Sequence, residues 1–246
     1  MKYKNYVIEC YKFYIVFAVV CIVYWLYRNG EAIGKDIDIK AFQMLVGLNN
    51  GYSYQWILAT VILLGYIFIV NKGMNYVSVS YLIRKSRDNI VKENIVRVIV
   101  NAVCYVAIYT SVDVIFLFMI ADIKVLTQSN FFMAMLLFSM SLMTVYIVMG
   151  VMYTLIYLIV NNSYLSLIIL FIINIIIVFV ECYLHINIFK LYTNIGVVDE
   201  VVSGVGTNIY EWLITTTIQI LVASVLYILV KEKYNRKDII CRDDKK

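Results

Sequence analysis

Six apolar runs, separated by polar breaks, divide the chain at roughly 13–28, 56–71, 98–121, 131–160, 164–186 and 212–230. Each approaches the ~20 residues that a helix needs to cross the hydrocarbon core of a bilayer. The runs are continuous, with none of the ten-residue in-and-out alternation of an outer-membrane barrel strand. They therefore predict α-helices, because a helix satisfies every backbone polar group within its own segment. The first two runs are short, and the fourth is long enough to tilt or to project past the membrane.

Between the runs the polar breaks differ in kind. Residues 161–163 form a very short uncharged connection. Residues 187–211, NIFKLYTNIGVVDEVVSGVGTNIYE, are longer, and Gly196, Gly204 and Gly206 mark breaks between two short apolar pieces there, with Asp199 and Glu200 expected to face water. Residues 72–97 hold Lys72, Arg84, Lys85, Arg87, Asp88, Lys92, Glu93 and Arg97, whose charges must sit in water or against a partner. A plain hairpin needs only a few residues. This stretch instead reads as a short amphipathic helix with an apolar shoulder (Tyr76, Val77, Val79, Tyr81, Leu82, Ile83) and a charged tip, leading back through Ile90, Val91, Ile95 and Val96.

Composition fits this picture. Of 246 residues, 63% are hydrophobic and only 15% charged, and there is no proline. A soluble domain carries about a quarter charged residues. The expected fold class is thus an all-α integral membrane protein with six transmembrane helices, forming a single domain over 1–246. The start carries Lys2, Lys4 and Lys12 with no small-residue cleavage site after the first run, so it does not read as a removable signal. The wealth of Ile, Asn, Tyr and Lys suggests an AT-rich bacterial genome.

Charge sets the expected orientation. Sixteen of the 21 basic residues fall in 1–12, 72–97 and 231–246, which places those segments and both termini on the cytoplasmic side. Trp25, Trp56 and Trp212 would then lie at the outer interface, where amphipathic rings collect. The net charge of +5 reads as a topology signal and an attraction to anionic membrane lipid, not as a nucleic-acid footprint.

Chemistry is sparse. The single histidine, His185, lies four residues after Glu181, on one helix face. That pair is either a proton or ligand site or a polar contact near the end of the fifth run. Asp113, inside the third run, either lines a transport path or makes a structural polar contact; Asn174 reads as packing. Cys10, Cys21, Cys104, Cys182 and Cys241 have neither zinc-site nor disulfide spacing, and no metal site is expected. No phosphate-cradling Gly-x-x-x-x-Gly-Lys-[Ser/Thr] loop occurs, so no enzyme activity or catalytic residue is expected of this chain. Work against a gradient would need energy from another polypeptide or from an ion gradient.

The amphipathic start KYKNYVIECYKF, the stretch SYLIRKSRDNIVKEN between the second and third runs, the short 161–163 connection and the longer 187–211 segment together resemble a type-2 ABC transporter permease. The likeness is to the small bacterial peptide-export and bacteriocin-immunity type, similar to phenol-soluble-modulin exporter permeases. It covers the whole chain as architecture and, residue by residue, only SYLIRKSRDNIVKEN. The resemblance implies an interfacial helix at 1–12, a cytoplasmic coupling helix within 72–97 and an extracellular re-entrant segment at 187–211. It implies a cytoplasmic ABC ATPase partner that binds ATP and Mg, with Tyr81, Leu82 and Ile83 filling an apolar cleft of that ATPase and Arg84, Lys85, Ser86 and Arg87 meeting its polar rim. It also implies a second permease copy or paralogue. The implied function is export of amphipathic peptides or lipid-like molecules across the bacterial plasma membrane. The alternatives are an immunity permease that clears lantibiotic- or bacitracin-like peptides, and a non-transporting membrane scaffold or assembly factor.

Overall fold

The structure is a computed structural model. It describes residues 2–46, 52, 54–73, 87–182, 184, 191–204 and 209–236. All regular elements among them are helical. Besides two 3-10 turns at Gly30–Ala32 and Thr193–Gly196, they are in chain order α1 (Lys2–Asn29), α2 (Ile39–Val46), α3 (Gln55–Ile57), a π-helical segment (Leu58–Ile62), α4 (Leu63–Gly73), α5 (Arg87–Ile120), α6 (Ile123–Gln128), α7 (Phe131–Val160), α8 (Ser163–Cys182), α9 (Val197–Ser203) and α10 (Ile209–Arg236). Five of them, α1, α5, α7, α8 and α10, hold stretches long and apolar enough to cross a membrane. The chain is a multi-pass membrane protein on this count. Its outward surface agrees: Val16, Val19 and Val23 on α1, Ile168, Ile172 and Ile176 on α8 and Ile214, Leu221 and Ile228 on α10 are exposed. A soluble monomer rarely carries apolar patches of that extent.

α7 is the hub. Of its most apolar window 61% is buried, against 17–39% for the other four long helices. The buried side chains among the described ones of α1 form a stripe of Tyr14, Phe17, Cys21, Trp25 and Asn29. Spacings of three to four residues place that stripe on one helix face, leaving the rest of the helix to lipid.

Helix directions follow from the cross-links. Tyr14 meets Asn101, Phe17 meets Tyr105 and Trp25 meets Asp113, so α1 and α5 run parallel. Tyr66 meets Val98 while Tyr105 meets Ile62, so α4 runs antiparallel to α5. Lys231 meets Asp88, so α10 is antiparallel to α5 as well. The start of α1, the end of α4, the start of α5 and the end of α10 therefore share one end of the bundle.

Two expected elements differ in form. The start of the chain, expected to lie along the membrane face over 1–12, continues α1 as one helix from Lys2 to Asn29, because no Gly or Pro interrupts it. The second expected span is not a regular helix; its first half is α3 and the π segment. The 161–163 connection is as tight as expected. Asn161 takes the left-handed conformation at φ 61°, and the Asn162 side chain accepts bonds from the Tyr164 and Leu165 amides at 3.0 and 3.2 Å. Asn tolerates the first position and caps helices at the second.

Candidate functional site

Three polar arrangements interrupt the apolar bundle. The first occupies the shared end. The Arg87 guanidinium donates to the Asn235 carbonyl at 2.6 Å, and Lys231 pairs with Asp88 at 3.3 Å. A cation on the last carbonyls of a helix also complements its dipole. The start of α5 is thus tied to the end of α10. Of the expected coupling residues, only Arg87 lies within the described part. Tyr81, Leu82, Ile83, Arg84, Lys85 and Ser86 fall outside the described residues. Over 87–97 the chain is already part of α5, whose 34 residues make a rod of about 51 Å, well beyond a ~30 Å hydrocarbon core.

The second arrangement surrounds the π segment. A π turn is rare and shifts carbonyls out of the ordinary helical ladder. Here three other helices supply donors to them. Tyr146 of α7 donates to the Leu58 carbonyl at 3.2 Å, Asn174 of α8 to the Ala59 carbonyl at 2.5 Å and Tyr105 of α5 to the Ile62 carbonyl at 2.9 Å. The rings of Tyr66, Tyr105 and Tyr146 pack on one another with centroids 5.1–5.9 Å apart. Gly150 makes room for this cluster: a β-carbon there would stand 2.6 Å from both the Tyr66 hydroxyl and Val98 Cγ1. Ahead of α3, Tyr52 and Tyr109 stack at 4.3 Å and exchange bonds, each hydroxyl donating to the other's carbonyl at 3.3 and 2.6 Å. Burial pushes the Tyr52 phenol well up from its ordinary range, so it stays a donor.

Asp113 sits one turn beyond Tyr109 and is 1% exposed. The Trp25 indole donates to its Oδ1 at 2.9 Å, and Oδ2 has no hydrogen-bond partner. Trp25 itself is fully buried and stacks on Phe116 at 4.4 Å. Trp212 is buried too, and its indole donates to Ser141 Oγ at 2.8 Å. Two of the three tryptophans expected at the outer interface are thus enclosed by neighbouring helices, each indole N–H bonded to a partner on another helix. Glu181 has partners of its own. It is 1% exposed, and its two oxygens accept the backbone N–H groups of Leu191 and Tyr192 at 3.0 and 2.8 Å. His185, its expected neighbour, lies outside the described residues.

Glu181 thereby pins the described part of the 187–211 segment. Further ties run from Tyr192 to Asn174, from Thr215 to Asn194 at 2.7 Å, from Asn194 to Thr216 at 3.0 Å and from Gln43 of α2 to the Val202 carbonyl at 3.0 Å. Gly204, at φ +73°, ends α9. Since α10 begins just beyond, this cap covers the bundle end opposite Arg87. Glu200 is exposed, as expected of a water-facing residue, and Asp199 is half-buried.

The third arrangement is a groove between α5, α7 and α10, of about 300 Å³, lined mainly by Ile95, Ile99, Ile147, Val151, Ile220 and Ala223. Its polar floor is Thr144, whose hydroxyl donates to Gln219 Oε1 at 2.5 Å. Sequence reasoning passed over both residues. The available signal was an amide, Gln219, in the middle of an apolar run, which calls for a polar partner on another helix.

Among the described residues no group of three or more His, Cys, Asp or Glu could hold a metal ion. No family model, curated protein or solved structure matches the chain.

Proposed function

We propose that this chain is the membrane permease subunit of a transporter driven by a separate cytoplasmic ABC ATPase, with six spans and both termini inside. The irregular stretch Gln55–Gly73 is its second span, and the connection between α4 and α5 is where the ATPase engages. The observation that carries this reading is the tie at the charged end. Arg87 and Asp88 follow directly after that connection and grip Asn235 and Lys231 at the end of α10. A displacement of the connection would therefore reach α5 and α10 together, and these two helices border the groove. The chain bears no nucleotide-binding loop of its own, so force would come from outside. The apolar groove and the exposed Ile, Val and Leu surface suit an amphipathic peptide or lipid-like cargo better than a sugar or an ion.

The test is co-purification from native membranes followed by ATPase assay. The expected result is a nucleotide-hydrolysing subunit that remains bound, with Arg84→Glu plus Lys85→Glu abolishing the association while leaving membrane insertion intact. A chain that purifies without any such subunit, or a double variant that transports like wild type, contradicts the proposal.

A further inference from the structure

The groove between α5, α7 and α10 ends at a positive mouth. Ile95 and Ile99 line it from α5, and Lys92 precedes them by three and seven residues, which puts all three on one helix face. On α10 the lining residues Ile220, Ala223, Ser224 and Tyr227 continue at helical spacing to Lys231. The Lys231–Asp88 contact shows that these two faces look at each other one to two turns beyond the apolar section. Lys92 is exposed and pairs with no described residue. On the groove-facing side Asp88 is matched by Lys231, which leaves Lys92 as the positive charge of the mouth.

We propose that this groove is a binding site for one anionic phospholipid, with an acyl chain against Ile99, Ile147, Val151 and Ile220 and the phosphate at Lys92. Its volume of about 300 Å³ lies at the low end of small-molecule sites, ~300–1,000 Å³, and matches one chain rather than a bulky ring system. The surrounding solvent at this depth is hydrocarbon, so the apolar part fills without displacing water. The phosphate supplies the charge that the exposed Lys92 lacks, and Tyr227 sits at the boundary between the two regions, where an amphipathic ring is favourable. The site stands whether or not an ATPase drives the chain.

The probe is palmitoyl-oleoyl phosphatidylglycerol, compared with phosphatidylcholine of the same chains, titrated into the delipidated full chain in detergent and read by native mass spectrometry. One lysine beside an anionic headgroup is worth about fivefold in affinity. The expected result is one phosphatidylglycerol held about fivefold more tightly than phosphatidylcholine. Lys92→Gln, which alters no packed side chain, should remove that preference and leave phosphatidylcholine binding unchanged. Ala223→Phe, which fills the groove, should weaken both lipids. Equal affinity for the two lipids in wild type, or an unchanged preference in Lys92→Gln, overturns the proposal. So does a dimer that Ala223→Phe splits without affecting lipid binding, since the groove would then belong to a second copy.

Discussion

Trp25 Nε1 lies 2.9 Å from Asp113 Oδ1, and that bond joins the parallel helices α1 and α5 through a carboxylate that is 1% exposed. Leaving one polar partner buried alone costs more than never having the pair. Trp25→Phe should therefore destabilise the protein by about 1–3 kcal/mol. Asp113→Asn, which keeps an acceptor and removes the charge, should cost less, and in the double variant it should recover part of the Trp25→Phe loss. Unfolding in a graded detergent series measures all three. Wild-type stability in Trp25→Phe would contradict the structural role. A changed response to cargo in Asp113→Asn, at full stability, would add a place on the transport path.

The π segment depends on donors from three other helices, so the loss of each should be felt there. Hydrogen bonds between membrane helices average about 0.6 kcal/mol and reach about 1.7. Tyr146→Phe, Tyr105→Phe and Asn174→Leu should each fall in that range, with Asn174→Leu the costliest because Asn174 also accepts from Tyr192. Hydrogen exchange along Leu58–Leu63 should rise in each variant. Unchanged exchange in all three would mean that these donors do not hold the π geometry.

Gly150→Ala should cost about 1–3 kcal/mol through overpacking against Tyr66 and Val98, both of which are buried. Tyr66→Phe removes the oxygen that the new methyl meets, and should relieve part of the cost. Thermal denaturation of the single and double variants reads this directly. Additive losses would show that the hydroxyl is not the obstacle.

Glu181→Gln replaces one of two acceptors for the Leu191 and Tyr192 amides with a donor. A charged acceptor is worth roughly twice a neutral one. Faster hydrogen exchange at Leu191 and Tyr192 is expected, with the cap over 191–204 becoming sensitive to protease. Unaltered protection there would remove Glu181 from its anchoring role.

What was readable in the sequence, and what was not, follows the range of the forces involved. The helix Phe131–Val160 is legible to the residue, because Asn130 and Asn161 bound an unbroken apolar run and both adopt left-handed backbone. The turn at Asn161–Asn162 is equally local. The π segment is not legible, since its carbonyl donors come from Tyr105, Tyr146 and Asn174, 43 to 115 residues away. The burial of Trp25 and Trp212 is not legible either, because each indole's acceptor, Asp113 or Ser141, lies on another helix. Glu181 was matched to His185, which lies outside the described residues; among the described residues Glu181 accepts from the backbone of a later segment, a contact that spacing within one helix does not reveal. At the candidate site, Arg87 was expected to meet a partner protein, and its guanidinium is bound within the chain to Asn235. That tie could not be foreseen, because the charges of 72–97 and 231–246 look alike until the helix ends are brought together.

On the proposed function, a partner's force enters through the connection between α4 and α5. A photo-reactive amino acid at position 84, activated in intact native membranes, probes that entry point. A covalent adduct with a nucleotide-hydrolysing polypeptide is expected, formed from the inner side and lost when that subunit is absent. Labelling of position 84 by an impermeant reagent from outside the cell would contradict it.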